Sequence, residues 1–277
     1  METRIATIKD WVQLELFFKN IYREGHPLHK KEFWIWQYGD EQFGRSFISL
    51  NDKGEITGHV GANFGGGLAW MINVFLTEEC RGQGILTRLY ELARKFYPLA
   101  ATAANEAGLG LYRNMRWFRY HDLVRVVKIN PNLKSSSTLD ICSKIEFKKS
   151  IENKPIGHYF NQPGIDAISI SDGNNAIIQS NVGGLRIVDV EDLSSLENFA
   201  WDNNFKWMDY ITSWNDLKLK SLYKSDWKND YSSVVPWRLN PIVPDYFCDI
   251  TYLSEEPVKK EFIVHRSYSD HGRVGSL

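Results

Sequence analysis

Cysteine is scarce in this sequence, and the three that occur, Cys80, Cys142 and Cys248, are widely spaced. Such spacing fits neither a disulfide framework nor a zinc site built from paired cysteines. The seven histidines also lack the short spacing that is typical of metal ligands, so we expect no metal ion. Sparse, unpaired cysteine is typical of a reducing compartment, and we therefore expect a cytoplasmic protein.

An excess of charge of one sign is also absent, since 33 Lys and Arg face 34 Asp and Glu. Proteins that bind nucleic acid usually carry a basic excess or a basic stripe, so we expect no nucleic-acid partner. No run of eighteen apolar residues occurs, which argues against a membrane-spanning helix, and residues 1–12 lack the apolar core of a signal peptide. What remains is ordinary: 43% hydrophobic and 24% charged residues are typical of a soluble globular chain.

Apolar spacing predicts an α/β architecture for the first half of the chain. Helical periodicity indicates two helices, Ile8 to Tyr22 and Lys31 to Tyr38. The elements expected after them are strands over 47–50, 55–64 and 68–76, a helix over 85–96, a strand over 99–104, a helix over 106–115 and a strand over 124–129. This alternation predicts one mixed sheet flanked by helices.

Two short motifs of the first half recur in the second half. Gly66-Gly67-Leu68 and Gly183-Gly184-Leu185 each lead a strand, and Leu111-Tyr112 before Trp117 is matched by Leu222-Tyr223 before Trp227. We therefore predict a duplicated fold with domains at 1–131 and 132–277, joined by a serine-rich linker at 131–138. Because nothing like Arg-Gly-Gln-Gly lies within the second copy, we expect it to be degenerate and to have lost the binding loop.

The stretch Arg81-Gly82-Gln83-Gly84-Ile85 lies between a predicted strand and a predicted helix. A helix N-terminus offers backbone N–H groups without intrahelical acceptors, together with the positive end of the helix dipole. Glycine lets the backbone approach a pyrophosphate because it has no Cβ, and Arg81 adds a positive charge. The pattern therefore predicts a phosphate-binding loop; the alternative is an ordinary strand-to-helix turn with two glycines.

At these residues the sequence resembles the GNAT superfamily of acyl-CoA-dependent N-acyltransferases. The family's loop is Gln or Arg, two residues, Gly, one residue, then Gly or Ala, and here Leu86 stands at the last position. Asn105 precedes Tyr112 by seven residues, as in the family pattern, and Arg116 replaces the usual glycine after it. The resemblance covers about residues 1–130 and implies the GNAT fold, coenzyme A as co-substrate and acyl transfer to an amine.

The resemblance also implies roles for particular residues. Tyr112 would be the acid that protonates the departing thiolate, with a buried structural tyrosine as the alternative. The end of the third strand would offer an N–H to the thioester oxygen. The residues expected to bind coenzyme A are Val74, Phe75, Leu76, Arg81, Gly82, Gln83, Gly84, Ile85, Leu86, Thr87 and Asn105.

The general base is less clear from the sequence. His59 is the candidate for this catalytic role because it stands in the strand pair expected to line the cleft and titrates near neutral pH. A satisfied structural histidine is its alternative. Glu78, Glu79, His26 and His29 are weaker candidates.

The acceptor is inferred from the aromatic region 26–40 beside the cleft, where His26, Trp36 and Tyr38 are the predicted substrate-binding residues. A tandem chain with one degenerate half resembles bacterial enzymes that acylate dTDP-linked amino sugars for surface polysaccharides, with acetyl or short hydroxyacyl groups. In that interpretation Trp237 and Arg238 would contact the nucleotide sugar. Other small amines, a protein amine and a non-catalytic acyl-CoA-binding module remain alternatives; the oligomeric state is open, with a homodimer among the options.

Overall fold

The computed structural model describes residues 1–103, 106–132, 158, 161–171, 173–179, 183–229 and 250–268. The chain divides into two compact units. Unit 1 comprises Met1–His121, Phe247–Lys259 and Ser267–Leu277, and unit 2 comprises Asp122–Tyr246 and Lys260–Arg266. The division therefore differs from the predicted one at residue 131, because the chain leaves unit 1 ten residues earlier and returns to it near its C-terminus. Most of the predicted linker lies outside the described residues.

The helices and strands of the first half match the predicted order, with a short additional strand at the start. In chain order the described elements are β1 (Glu2–Ile5), α1 (Trp11–Ile21), α2 (Lys31–Tyr38), β2 (Gly44–Leu50), β3 (Ile56–Gly65), β4 (Leu68–Leu76), α3 (Ile85–Arg94), β5 (Leu99–Ala103), α4 (Glu106–Asn114), β6 (Phe118–Ile129), β7 (Asp166–Ser171), β8 (Asn174–Gln179), β9 (Gly184–Asp189), α5 (Leu193–Asp202), β10 (Trp207–Ser213), α6 (Lys218–Lys224) and β11 (Thr251–Ser254).

The sheet of unit 1 is mixed and is covered by helices on both faces. Its strands run in the order β1-β2-β3-β4-β5-β11, with β4 parallel to β5 and the remaining pairs antiparallel. Helices α3 and α4 cover one face, where Ile85, Leu89 and Ala93 recur at helical spacing and are buried against the sheet. The aromatic residues of α1 and α2 are buried on the other face. The predicted α/β sandwich is confirmed.

Strand β11 belongs to unit 1 although it lies near the end of the chain. It pairs with β5, and Glu255 directly after it both donates its backbone N–H to the Leu99 carbonyl (3.0 Å) and accepts the Leu99 N–H on its carboxylate (2.8 Å). The same carboxylate accepts from Arg94 Nε at 2.9 Å. A distant segment therefore completes the sheet, which no local sequence pattern reveals.

Unit 2 repeats the order of elements in unit 1. The antiparallel strands β7, β8 and β9 are followed by α5, by β10 parallel to β9, and by α6. This is the order of β2, β3, β4, α3, β5 and α4, with the same parallel pairing after the first of the two helices. The repetition is consistent with the predicted duplication.

The structure corrects the alignment of the two copies at their last helices. The Trp117 N–H donates to the Tyr112 carbonyl, and the Trp227 N–H donates to the Leu222 carbonyl, both at 3.1 Å. Each tryptophan follows a residue in the left-handed region, Arg116 or Asp226, as in a helix-ending Schellman motif. The position of Tyr112 is therefore taken in unit 2 by Leu222, and the hydroxyl is missing from the second copy.

Candidate active site

The loop between β4 and α3 adopts the conformation that its glycines permit. Gly82 and Gly84 have φ values of 72° and 71°, in the left-handed region where a side chain is strained. A Cβ built on either glycine would meet no other atom within 4 Å. Gly84 is the N-cap of α3 and provides no side-chain cap. The N-cap residue therefore provides no side chain to accept from the first N–H groups of α3, from Ile85 onward. Helix N-termini that bind phosphate have the same feature.

The corresponding helix start in unit 2 is closed by the chain itself. The Asp192 carboxylate accepts the N–H groups of Ser194 at 3.0 Å and Ser195 at 3.4 Å, so it caps α5. The buried amide of Asn174 accepts the N–H groups of Glu191 and Asp192 in addition. An internal carboxylate thus occupies in α5 the place that α3 leaves for an external anion.

The two central strands of unit 1 diverge next to this loop. Strands β4 and β5 pair only from Ala69 opposite Leu99 to Met71 opposite Ala101, although both continue further. The register between β3 and β4 shifts after this point, where Asn73 has a left-handed φ of 50°. This β-bulge bends β4, so its last residues lie past the divergence. Val74, Phe75 and Leu76, predicted to bind the acyl-CoA arm, are half-buried there.

The polar side chains of the loop contact the loop itself. Arg81 Nε donates to the Leu76 carbonyl at 3.2 Å, and its guanidinium lies 3.8 Å from Glu78, while more than half of the side chain is exposed. Gln83 Nε2 donates to the Glu79 carbonyl. These contacts stabilise the junction of β4 with the loop. Leu86, where the family has a small residue, packs in partly buried form against the core.

Tyr112 lies in a pair of buried tyrosines between α3 and α4. It is 5% exposed, its ring is stacked on Trp117 with centroids 4.6 Å apart, and its hydroxyl lies 3.3 Å from the hydroxyl of Tyr90. Burial, with the neighbouring Tyr112, raises the pKa of Tyr90 well above its usual value. No role for Tyr90 was predicted from the sequence, although its spacing in α3 places it among the residues that face the core.

A groove of about 450 Å³ borders this tyrosine pair in unit 1. It is lined by residues of α3, by the segment that follows α4, and by Glu255 and Glu256 directly after β11. Its lining residues are Thr87, Tyr90, Arg94, Met115, Trp117, Glu255 and Glu256.

His59 is fully buried, and both of its ring nitrogens are engaged. Nδ1 lies 2.9 Å from the Asn73 carbonyl and Nε2 lies 2.8 Å from the Ser46 hydroxyl. Because a carbonyl only accepts, Nδ1 carries the proton and Nε2 accepts from Ser46. Burial lowers the pKa of His59 to about 4. This geometry favours the structural alternative for His59 over the predicted proton acceptor.

The predicted acceptor residues lie on the α1–α2 side of unit 1. His26 stacks on Tyr22 with centroids 4.0 Å apart, and its Nδ1 accepts the Leu28 N–H, so the imidazole is a helix cap. Burial and the nearby His29 lower the pKa of His26 to about 4. Trp36 is buried in the aromatic cluster, and the hydroxyl of Tyr38 accepts from Asn73 at 2.8 Å.

The remaining predicted residues are less informative. Glu78 and Glu79 are exposed at the surface. Asn105, Trp237 and Arg238 lie outside the described residues. Across the described ranges, no group of three metal-ligating side chains occurs, and no helix combines the length and the apolar character needed to cross a membrane.

Comparison with known proteins finds one family model that matches the part of the chain containing this site. Residues 8–115 match the model of the acetyltransferase (GNAT) family. A search of curated protein sequences found no significant match. A Pyrococcus horikoshii structure assigned provisionally as an acetyltransferase is 15% identical with a TM-score of 0.54, over 98% of this chain and 95% of that one.

Other solved structures match less than half of the chain. One is a ribosomal-protein-alanine N-acetyltransferase from Brucella melitensis, 19% identical with a TM-score of 0.35, over 45% of this chain and 88% of that one. Another is a spermidine N-acetyltransferase chimera from Vibrio cholerae and hSSAT, 15% identical with a TM-score of 0.36, over 45% and 86%. The full-length match supports the fold of both halves.

Proposed function

We propose that this protein transfers an acyl group from acyl-CoA to the amine of a small molecule, by direct attack in a ternary complex, because residues 8–115 match the model of the acetyltransferase (GNAT) family. The observation that carries the proposal is the combination of an uncapped, glycine-led start of α3 with the divergence of β4 from β5 directly beside it. The first feature suits the pyrophosphate of coenzyme A, and the second gives its pantetheine arm a backbone edge to pair with.

Each step of the transfer can be assigned to residues of unit 1. The backbone N–H groups of Gln83 to Thr87 bind the pyrophosphate, and an N–H at the end of β4 polarises the thioester carbonyl as the amine attacks. The amine attacks as the neutral base, and Tyr112 donates its proton to the departing thiolate. The proton that the nitrogen loses as the amide forms then returns Tyr112 to the phenol. Tyr90 donates in turn to the Tyr112 oxygen, which stabilises the developing phenolate because the pair is shielded from water.

The acceptor that we propose is a nucleotide-linked amino sugar, such as a dTDP-amino sugar used for bacterial surface polysaccharides, acylated in the cytoplasm. The surface beside the β4 end is aromatic, with the Tyr22–His26 stack and with Phe75 in edge contact with Phe17. His26 is uncharged at neutral pH because of its lowered pKa. An aromatic surface with the Arg23 cation close to His26 suits a sugar or base ring more than a polycation.

The proposed function is tested by incubating the protein with acetyl-CoA and a panel of amines while free thiol is measured. The panel contains dTDP-amino sugars, spermidine, aminoglycosides, amino acids and N-terminal peptides. We expect thiol release above background with a nucleotide amino sugar. Release only with another amine would retain acyl transfer and reject the amino sugar; binding of coenzyme A with no release from any amine would leave an acyl-CoA-binding module.

Replacement of Tyr112 by phenylalanine removes the proposed acid and keeps the ring that stacks on Trp117. We expect kcat to fall by about 100-fold, with the KM for acetyl-CoA nearly unchanged, because general acid catalysis contributes in the transition state. Tyr90→Phe should lower kcat by about tenfold because it removes only a supporting hydrogen bond. The exposed Tyr97→Phe serves as the control. Full turnover in Tyr112→Phe would exclude the acid role and leave the transferase proposal standing.

A further inference from the structure

Four residues from separate elements are linked by consecutive hydrogen bonds at the bend in β4. Ser46 on β2 donates to His59 on β3 at 2.8 Å, and His59 donates to the carbonyl of Asn73 on β4 at 2.9 Å. The Asn73 amide then donates to the hydroxyl of Tyr38 on α2, at 2.8 Å. All four belong to unit 1, and Asn73 is held through both its backbone and its side chain.

The bend depends on an unusual backbone conformation at Asn73. Its φ of 50° lies in the left-handed region, which is unfavourable for most residues and less so for asparagine. The cost is tolerated only where neighbouring contacts impose the conformation. His59 provides such a contact because its ring is enclosed between Phe18, at a centroid distance of 4.9 Å, and Tyr38, at 5.7 Å. The imidazole is therefore held rigidly while it anchors the Asn73 carbonyl.

The contact of Tyr38 with Asn73 also requires a glycine on β3. The tyrosine hydroxyl crosses β3 at Gly61, where a Cβ would come within 2.1 Å of it. A side chain at this position would push Tyr38 away from Asn73. Gly61 is thus part of the same arrangement, since its missing side chain is what allows α2 to reach the bend.

We propose that His59 is a positioning residue that holds the bend of β4 at Asn73 and thereby sets the opening between β4 and β5 in which the thioester is bound. This inference rests on the proposed acyl transfer for its kinetic consequence. It assigns to His59 no proton transfer with substrate: the residue acts through Asn73 on the direction of the Val74–Leu76 backbone. Displacing the N–H that polarises the thioester by about 1 Å would lower kcat by about 10- to 100-fold.

The test compares two substitutions that differ in one hydrogen-bond donor. His59→Asn places an amide N–H close to the position of Nδ1–H, so it can still donate to Asn73, whereas His59→Leu has a similar size and no donor. We expect His59→Leu to lose about 10- to 100-fold in kcat with less than threefold change in the Kd of coenzyme A, and His59→Asn to recover most of the loss. Equal, large losses in both variants, with loss of the acidic limb of the pH–rate profile, would instead identify His59 as a general base and overturn the proposal.

A second measurement does not need turnover. Hydrogen exchange should show faster exchange of the Val74–Leu76 amides in His59→Leu, by about tenfold or more, with α3 unchanged. Uniformly faster exchange throughout unit 1 would indicate a merely structural histidine and reject the positioning role. If wild type acylates no amine, the proposed function fails, and the exchange data still decide whether His59 controls β4.

A second pair of variants, at Asn73, covers the case in which His59→Leu does not fold. Asn73→Gly keeps the left-handed conformation accessible, and Asn73→Ala does not. We expect the alanine variant to show the faster exchange at Val74–Leu76 and the glycine variant to resemble wild type more closely. The same exchange in both variants would contradict the dependence on this bend.

Discussion

Replacing Gly84 by valine is expected to raise the Kd of coenzyme A by about 100-fold, which corresponds to roughly 2.7 kcal/mol. The valine Cβ would project into the space that faces the first N–H groups of α3, where the pyrophosphate is proposed to bind. A β-branched residue at φ 71° also disfavours the loop conformation itself. The measurement is isothermal titration with coenzyme A, which needs no knowledge of the acceptor.

A matched control is available in the same unit. Gly67, in the turn between β3 and β4, has a φ of 75° and likewise no atom within 4 Å of a built Cβ. Gly67→Val should therefore incur a similar backbone strain without blocking an anion. If both variants weaken coenzyme A binding equally, the effect is general destabilisation, and the α3 start would lose its assigned role.

Replacing Asp209 by asparagine is expected to destabilise unit 2 by about 3–5 kcal/mol. Asp209 on β10 is fully buried and shared by three buried guanidiniums: Arg266 and Arg125 each lie 2.9 Å away, and Arg186 lies 3.8 Å away. Without its charge, these guanidiniums repel one another in a region of low dielectric. The measurement is hydrogen exchange along β10, compared with Asp202→Asn on the exposed side of α5, which should have little effect.

The same carboxylate gives unit 2 an acid-sensitive stability. Burial opposes ionisation of Asp209, but the attraction of Arg266, Arg125 and Arg186 outweighs it and lowers the pKa to about 2. A lowered pKa in the folded state stabilises the fold above the unfolded value of about 4, and this contribution is lost as the pH falls toward 2. Wild type should therefore lose stability in this range, and Asp209→Asn should lose less. Equal pH dependence in both proteins would contradict this explanation.

The glycine loop between β4 and α3 was predictable from the sequence because it is a local structure. A continuous apolar strand, two glycines and an amphipathic helix follow one another in Leu68 to Arg94, and each is specified by nearby residues. The helices α1 and α2 were predicted for the same reason. By contrast, β1 is a four-residue edge strand of mostly half-exposed residues, and its short sequence has no clear alternation.

The second half was predictable in its order of elements but not in its detail. The recurring glycines and tryptophans indicated a repeat. The alignment of Tyr112 with Leu222, by contrast, follows from the hydrogen bonds of the two helix-ending turns, which only the structure shows. The capping of α5 by Asp192 is a further difference between the two copies that the missing Arg-Gly-Gln-Gly letters did not reveal.

The amino-acid order alone specified the local structure: which residues form strands and helices, and where left-handed glycines leave the start of a helix without a side-chain cap. The tertiary structure decided everything that depends on residues far apart in the chain. It paired Tyr90 with Tyr112 and brought β11 back to β5. It also buried His59 between Ser46 and Asn73, which favours a structural histidine over the candidate base. The physical reason is that burial and hydrogen-bond partners set the protonation of a side chain, and both come from folding.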